Sequence, residues 1–225
     1  MKVEHTFIEH LYQQRADLVR KFFATEAERL ASLCHLMARR FARGGRLIAF
    51  GVGAAATDAQ HVSVEFVHPV IVGKRALPAI ALVNDGPSLL GSSLTDPAGF
   101  FGRQLEILGT PEDIALGIVH GSHDPGRAAV TEGLRRAAAM GMLTIALDGP
   151  GESLGSPSCG FAVPSSDPFV VQEVHETLYH VLWELVHVFF EHKGLLEDRP
   201  AGRSHDTGRS SFLYPFLAEA ESGLD

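Results

Sequence analysis

Apolar residues recur at helical spacing through the first forty positions: Ile8, Leu11, Leu18, Val19 and Phe22, then Leu30, Leu33, Cys34, Met37 and Phe41. Steps of three and four put each set on one face, which predicts two helices within 6–43. Thr25 and Glu28 have the spacing of a capping box that would start the second helix, and Gly44-Gly45 would stop it. The rhythm then changes. Short apolar runs predict strands at 46–50, 78–83, 114–119, 142–147 and 160–163. Between and after them, helical patterns cover 55–67, 98–108, 127–140 and 169–192. Strands alternating with helices of this length imply βαβ units and a parallel sheet covered on both faces. Ligands of such folds sit beyond the carboxyl ends of the strands. The turn Gly51-Val52-Gly53 and the loop 120–126 both lie at such ends.

The composition adds limits. A chain of 225 residues with 45% apolar and 20% charged residues is long enough for one domain with a sizeable core and appended elements. The formal charge of −8 argues against a nucleic-acid partner held by a basic surface. No apolar run is long enough for a membrane span, and the N-terminus lacks the apolar core of a signal peptide. Cys34 and Cys159 are the only cysteines, too few for a disulfide framework, which fits a cytoplasmic protein. Residues 195–225 are rich in Gly, Ser, Arg and Asp and read as a linker. It ends in the apolar group Phe212, Leu213, Tyr214, Phe216 and Leu217. Residues 211–217 are expected to dock on the chain's own oligomer or on a protein partner. The expected division is 1–45 for N-terminal helices, 46–194 for the main domain, and 195–225 for linker and tail.

Two constellations carry candidate chemistry. His61 and Glu65 lie one turn apart on the helix after the glycine turn, a spacing found in helical metal sites. Gln172, Glu176 and His180 fall on one side of the last helix. Such a set can bind a metal or move a proton. Gln172 and His180 are separated by about 12 Å of helix rise. That favours a site assembled from more than one subunit, or Gln172 at a frayed helix start. Glu173 and His175 are expected on a solvated or interface face, and His68 at a helix end.

The stretch Gly51…Asp58-Ala59-Gln60-His61…Glu65, the strand Pro78-Ala-Ile-Ala-Leu82, and Gln172-Glu-Val-His175…His180 together resemble the phosphoheptose isomerases of the sugar isomerase (SIS) domain family. The resemblance spans about residues 7–193. It implies a three-layer αβα sandwich around a five-stranded parallel sheet, flavodoxin-like, with an N-terminal helical hairpin. It implies a homotetramer with sites at subunit interfaces, and an aldose–ketose isomerase acting on a sugar phosphate or a related sugar derivative. His61, Glu65, Gln172 and His180 would hold one divalent ion per site, zinc in some members. Glu65 and His180 would be the acid/base pair. Gly51, Gly53, Ala55, His120, Ser122, His123, Asp124 and Gln172 would meet the sugar ligand.

The chain departs from that family at its loops. The family's Gly-Asn-Gly-Gly-Ser turn is here Gly51-Val-Gly53-Ala-Ala55, and its hydroxyl-rich phosphate loop is Val119-His-Gly-Ser-His-Asp124. The Asn-Asp pair expected near Ser93-Leu94 is absent, unless Thr95-Asp96 replaces it by a shift. Asp124 would bring a carboxylate toward a phosphate. Unit like charges at 4 Å repel by about 4 kcal/mol at an effective dielectric of 20. Three outcomes stay open: His120, His123 and Arg127 offset that charge; the ligand carries no phosphate here; or the pocket is vestigial. A non-catalytic SIS module that senses a sugar or binds a protein is the alternative. A dinucleotide enzyme fits less well, because the third glycine and an acidic residue at the end of the second strand are missing.

Overall fold

Five short apolar runs pair side by side as parallel strands: β1 Leu47–Phe50, β2 Ala79–Ala81, β3 Ile114–Ile118, β4 Leu143–Asp148 and β5 Cys159–Ala162. The computed structural model describes residues 5–71, 73–83, 94–151 and 153–191, together with 86, 91 and 196. β1, β3 and β4 are buried along their whole length, as a parallel sheet covered on both faces requires. Helices α1 His5–Ala42, α2 Ala54–Val67, α3 Phe100–Leu108, α4 Arg127–Ala139 and α5 Pro168–Glu191 supply the cover. One core joins α1, α2 and α5 to one face through residues such as Phe41, Phe66, Leu116 and Tyr179. The other joins α3 and α4 to the opposite face through Phe50, Phe101, Val130 and Leu134. The result is the expected three-layer sandwich.

The strand order is β2-β1-β3-β4-β5. Connections leave β1 and β3 toward opposite faces, so the crevice between their carboxyl ends is the switch point where such folds bind ligands. Both polar turns singled out in the sequence border that crevice.

The N-terminal hairpin is not present: residues 5–42 form one continuous helix. No Gly or Pro interrupts Phe22–Glu28. Thr25 does not cap a second helix; its hydroxyl donates to the Lys21 carbonyl at 3.0 Å, a bond made inside a helix. Only the C-terminal part of α1 enters the core, while Phe7, Ile8 and Tyr12 are more than half exposed. Among the described residues, no helix is long and apolar enough to cross a membrane. The docking expectation for 211–217 lies outside the described residues.

Candidate active site

The turn after β1 depends on its glycines. A Cβ on Gly51 would lie 2.7 Å from the Ala55 carbonyl oxygen, and Gly53 has φ of 64°. Ala55 is wholly buried, so its side chain supports the turn instead of facing a ligand. From this turn α2 runs back along the sheet, carrying Asp58, His61 and Glu65 at steps of three and four on one face. α5 faces it. Pro168 occupies the first helical position and Asp167 Oδ1 accepts from the Phe169 N–H at 2.9 Å. Gln172 therefore sits in an ordered second turn, not at a frayed end.

His61, Glu65 and His180 come together, one ligand atom of each lying within 4.8 Å of the others. His61 Nε2 and Glu65 Oε1 are 3.3 Å apart, and the His61 and His180 rings have centroids 5.1 Å apart. On its other side, His61 Nδ1 lies 2.8 Å from the Tyr179 hydroxyl. Burial, then the carboxylates of Asp58, Glu176 and Glu65, raise the Tyr179 pKa above its ordinary value. The phenol stays protonated and donates to Nδ1, which leaves the Nε2 proton directed at Glu65. Two imidazoles and a carboxylate with outward access form a donor set that suits zinc. The hydroxyl behind His61 is the kind of partner that fixes a ligating ring, since it can accept from Nδ1–H once Nε2 is ligated. Residues from α2 and α5 of one chain suffice for this trio.

Gln172 is held by Asp58, one turn before His61 on α2. Its Nε2 donates to Asp58 Oδ1 at 2.9 Å, and Asp58 Oδ2 lies 2.6 Å from His120 Nε2. Both acidic and imidazole side chains of that pair are nearly buried, at 2% and 7% exposure. The His120 Nε2 is thus committed inward to Asp58. His123 Nδ1 lies 3.1 Å from Ser122 Oγ. Arg127 is bidentate on Asp148, with Nη1 and Nη2 each 2.9 Å from a carboxylate oxygen, and also donates to the Gly121 carbonyl. Asp148 is held above its ordinary pKa, because burial outweighs the opposing pull of Arg127. Of the expected cationic set, His120 and Arg127 are therefore engaged within the protein, while His123 is exposed beside Ser122. Asp124 folds back as well: Oδ2 accepts from the His120 N–H at 2.9 Å and Oδ1 from the Gly126 N–H at 2.8 Å. Asp96 caps the turn before α3 through the Gly99 N–H at 3.0 Å and pairs with Arg103, so it does not replace a ligand-binding pair.

His175 corrects another expectation. It is fully buried, not solvated. Its Nε2 donates to the Asp148 carbonyl at 3.2 Å, its Nδ1 is buried without a partner, and its ring packs 5.7 Å from His120. Burial, then the neighbouring His120, push its pKa down to about 4. The signal was present: Val171, Val174, His175, Leu178 and Leu182 form a core stripe at helical spacing. Asp58 and Tyr179 were missed for a related reason. Asp58 is one turn before His61 on the same face, and Tyr179 adjoins His180, but only the fold shows that α2 and α5 pack together. Glu173 pairs with Arg15 of α1 at 2.9 Å, a half-exposed contact as expected. His68 ends α2 as its C-cap residue.

The chain is similar to known proteins in sequence and in fold. A family model described as SIS domain matches residues 10–149. The phosphoheptose isomerase of Desulfovibrio desulfuricans is 36% identical over 173 residues, covering 76% of this chain and 81% of that protein. That of Aquifex aeolicus is 34% identical over 184 residues, covering 80% and 94%. Among solved structures, a phosphoheptose isomerase from Francisella tularensis superposes with a TM-score of 0.74 at 20% identity, over 83% of this chain and all of that one. One from Neisseria gonorrhoeae gives 0.70 at 22% identity, over 80% and 97%. At those identities the two structures speak for the fold.

Proposed function

Because this chain belongs to the phosphoheptose isomerase family of SIS-domain proteins, we propose that it is an aldose–ketose isomerase acting on a sugar phosphate or a related sugar derivative. The observation that carries the reading is the convergence of His61, Glu65 and His180 from two helices onto one opening. Isomerisation moves a proton between adjacent carbons while the oxygens exchange carbonyl and hydroxyl character. Glu65 is the base that takes the carbon proton and returns it to the neighbouring carbon. His180, the exposed member, exchanges the proton of the substrate oxygen. His61, fixed by Tyr179, orients Glu65 from the opposite side.

A divalent ion, zinc by donor type, would be held by His61, Glu65 and His180, and when bound would polarise the carbonyl. Gln172 is assigned to the substrate and to the ion's surroundings through its carbonyl oxygen, because Asp58 holds its amide nitrogen. The trio's outward exposure and the bare apolar start of α1 support a homotetramer whose neighbouring copies close the site. The two free cysteines, Cys34 and Cys159, support a cytoplasmic protein. A non-catalytic sugar-binding module is the second reading, favoured by the closed β3–α4 turn.

The test is isomerisation of a ketoheptose 7-phosphate and of the free ketoheptose, followed by proton exchange with solvent deuterium. Glu65→Gln is expected to lower kcat by about a thousandfold, within the usual reach of general acid–base catalysis. Zinc bound at one ion per chain in the parent and lost in both His61→Ala and His180→Ala supports the shared site. Deuterium exchange absent on both sugars, despite sugar binding, would favour the non-catalytic module.

A further inference from the structure

The turn that joins β3 to α4 carries its own anion. At the carboxyl end of a parallel strand, backbone N–H groups leading into a helix are the usual seat of a ligand's phosphate. Here the Asp124 carboxylate already takes two of them, with one oxygen on the His120 N–H and the other on the Gly126 N–H. The seat belongs to the crevice. A Cβ on Gly126 would lie 2.6 Å from Val52 Cβ, so this turn abuts the glycine turn after β1. Of the side chains that might answer a second negative charge, Arg127 is held on Asp148 and His120 on Asp58, which leaves only the exposed His123 beside Ser122. Two positions of the loop, Val119 and Gly121, offer no hydroxyl. A phosphate placed here would displace a carboxylate from its donors or sit beside it at close range.

We propose that Asp124 is a specificity-determining residue that turns this crevice against a terminal phosphate, so that the ligand end meeting the β3–α4 turn is an uncharged, hydroxyl-bearing one. This rests on reading the crevice as a sugar site, and it narrows that reading to the unphosphorylated class of derivative. A hydroxyl can donate to the outer lone pairs of the Asp124 carboxylate, whereas a phosphate dianion has no proton to give. Asp124→Ser and Asp124→Asn remove the charge and keep a residue suited to capping the following helix, so neither is expected to unfold the turn.

The experiment measures calorimetric affinity of a ketoheptose and its 7-phosphate for the full-length protein and both variants. The parent is expected to bind the free sugar at least as tightly as the ester. Each variant is expected to raise affinity for the ester about tenfold or more, a fraction of the full charge repulsion, while affinity for the free sugar, which loses the carboxylate acceptor, does not rise. An ester bound tenfold more tightly than the free sugar by the parent overturns the proposal. So does an ester affinity unmoved in both variants. Failure of all three proteins to bind either sugar overturns the sugar reading itself. Binding with the expected ratios but without isomerisation removes only the catalytic assignment.

Discussion

The α2–α5 trio and the β3–α4 turn handle their polar groups in opposite ways. In the trio, His180 is exposed, His61 is 38% exposed and Glu65 is 18% exposed. In the turn, Asp58, His120, Asp124, Arg127 and Asp148 are joined to one another or to the backbone, mostly out of water. Groups left able to meet a ligand can do chemistry, while groups that satisfy one another stabilise and shape. The contrast separates the proposed reactive centre on one side from a scaffold on the other.

The sharpest way to break the comparison is to remove one carboxylate from each side. Asp58→Ala strands His120 and the Gln172 amide in a buried site. It is expected to cost about 3 kcal/mol, because a buried pair that loses one partner leaves an uncompensated group. Tm should fall by roughly 10 °C for a domain of this size. Glu65→Ala, which breaks the more open His61 pair, is expected to cost less than about 1 kcal/mol. Calorimetric melting of both variants checks this, and equal losses would dissolve the distinction between scaffold and reactive centre.

A smaller and pH-dependent effect belongs to His175. Its folded pKa of about 4 lies below the ordinary 6.5, so the unfolded chain takes up the proton first as pH falls. Its neutral, buried form therefore contributes fully above pH 6.5, and that contribution is lost as pH drops from 6.5 toward 4. The loss approaches about 3 kcal/mol at the acid end, at 1.36 kcal/mol per pKa unit. Urea unfolding at pH 7.5, 5.5 and 4.5 should show this slope in the parent and a flatter one in His175→Asn.

The parts of this molecule that were legible in its sequence are those set by periodicity. Five apolar runs and the helices between them gave the sandwich, because a doubly covered sheet demands continuous apolar strands. His61, Glu65 and His180 were legible because helical spacing and the family motif agree. The single α1 helix was misread because Thr25 has the right neighbour for a capping box, yet nothing near it breaks the helix. The loop chemistry was not legible. Whether Asp124 faces a ligand or its own backbone depends on a turn a few ångströms wide, and neighbours from α2, β4 and α5 decide it. His175 was misassigned by counting it as a polar residue near a ligand set, when its position in the Val171–Leu182 stripe placed it in the core.

Tyr179 offers the finest test, since it belongs to the reactive side but is itself buried. Its hydroxyl is the partner of His61 Nδ1, so Tyr179→Phe keeps the ring in the core and removes only that contact. A ligating histidine without its outer partner rotates more freely and loses basicity. Zinc affinity is therefore expected to fall about tenfold, the lower end of the effect of removing such partners. Folding stability should change by about 1 kcal/mol, the net worth of a single hydrogen bond. Competition with a chelator reads the first quantity and urea unfolding without metal reads the second. A stability loss of the size expected for Asp58→Ala, with zinc affinity unchanged, would mean that Tyr179 serves the scaffold and that His61 is oriented by Glu65 alone.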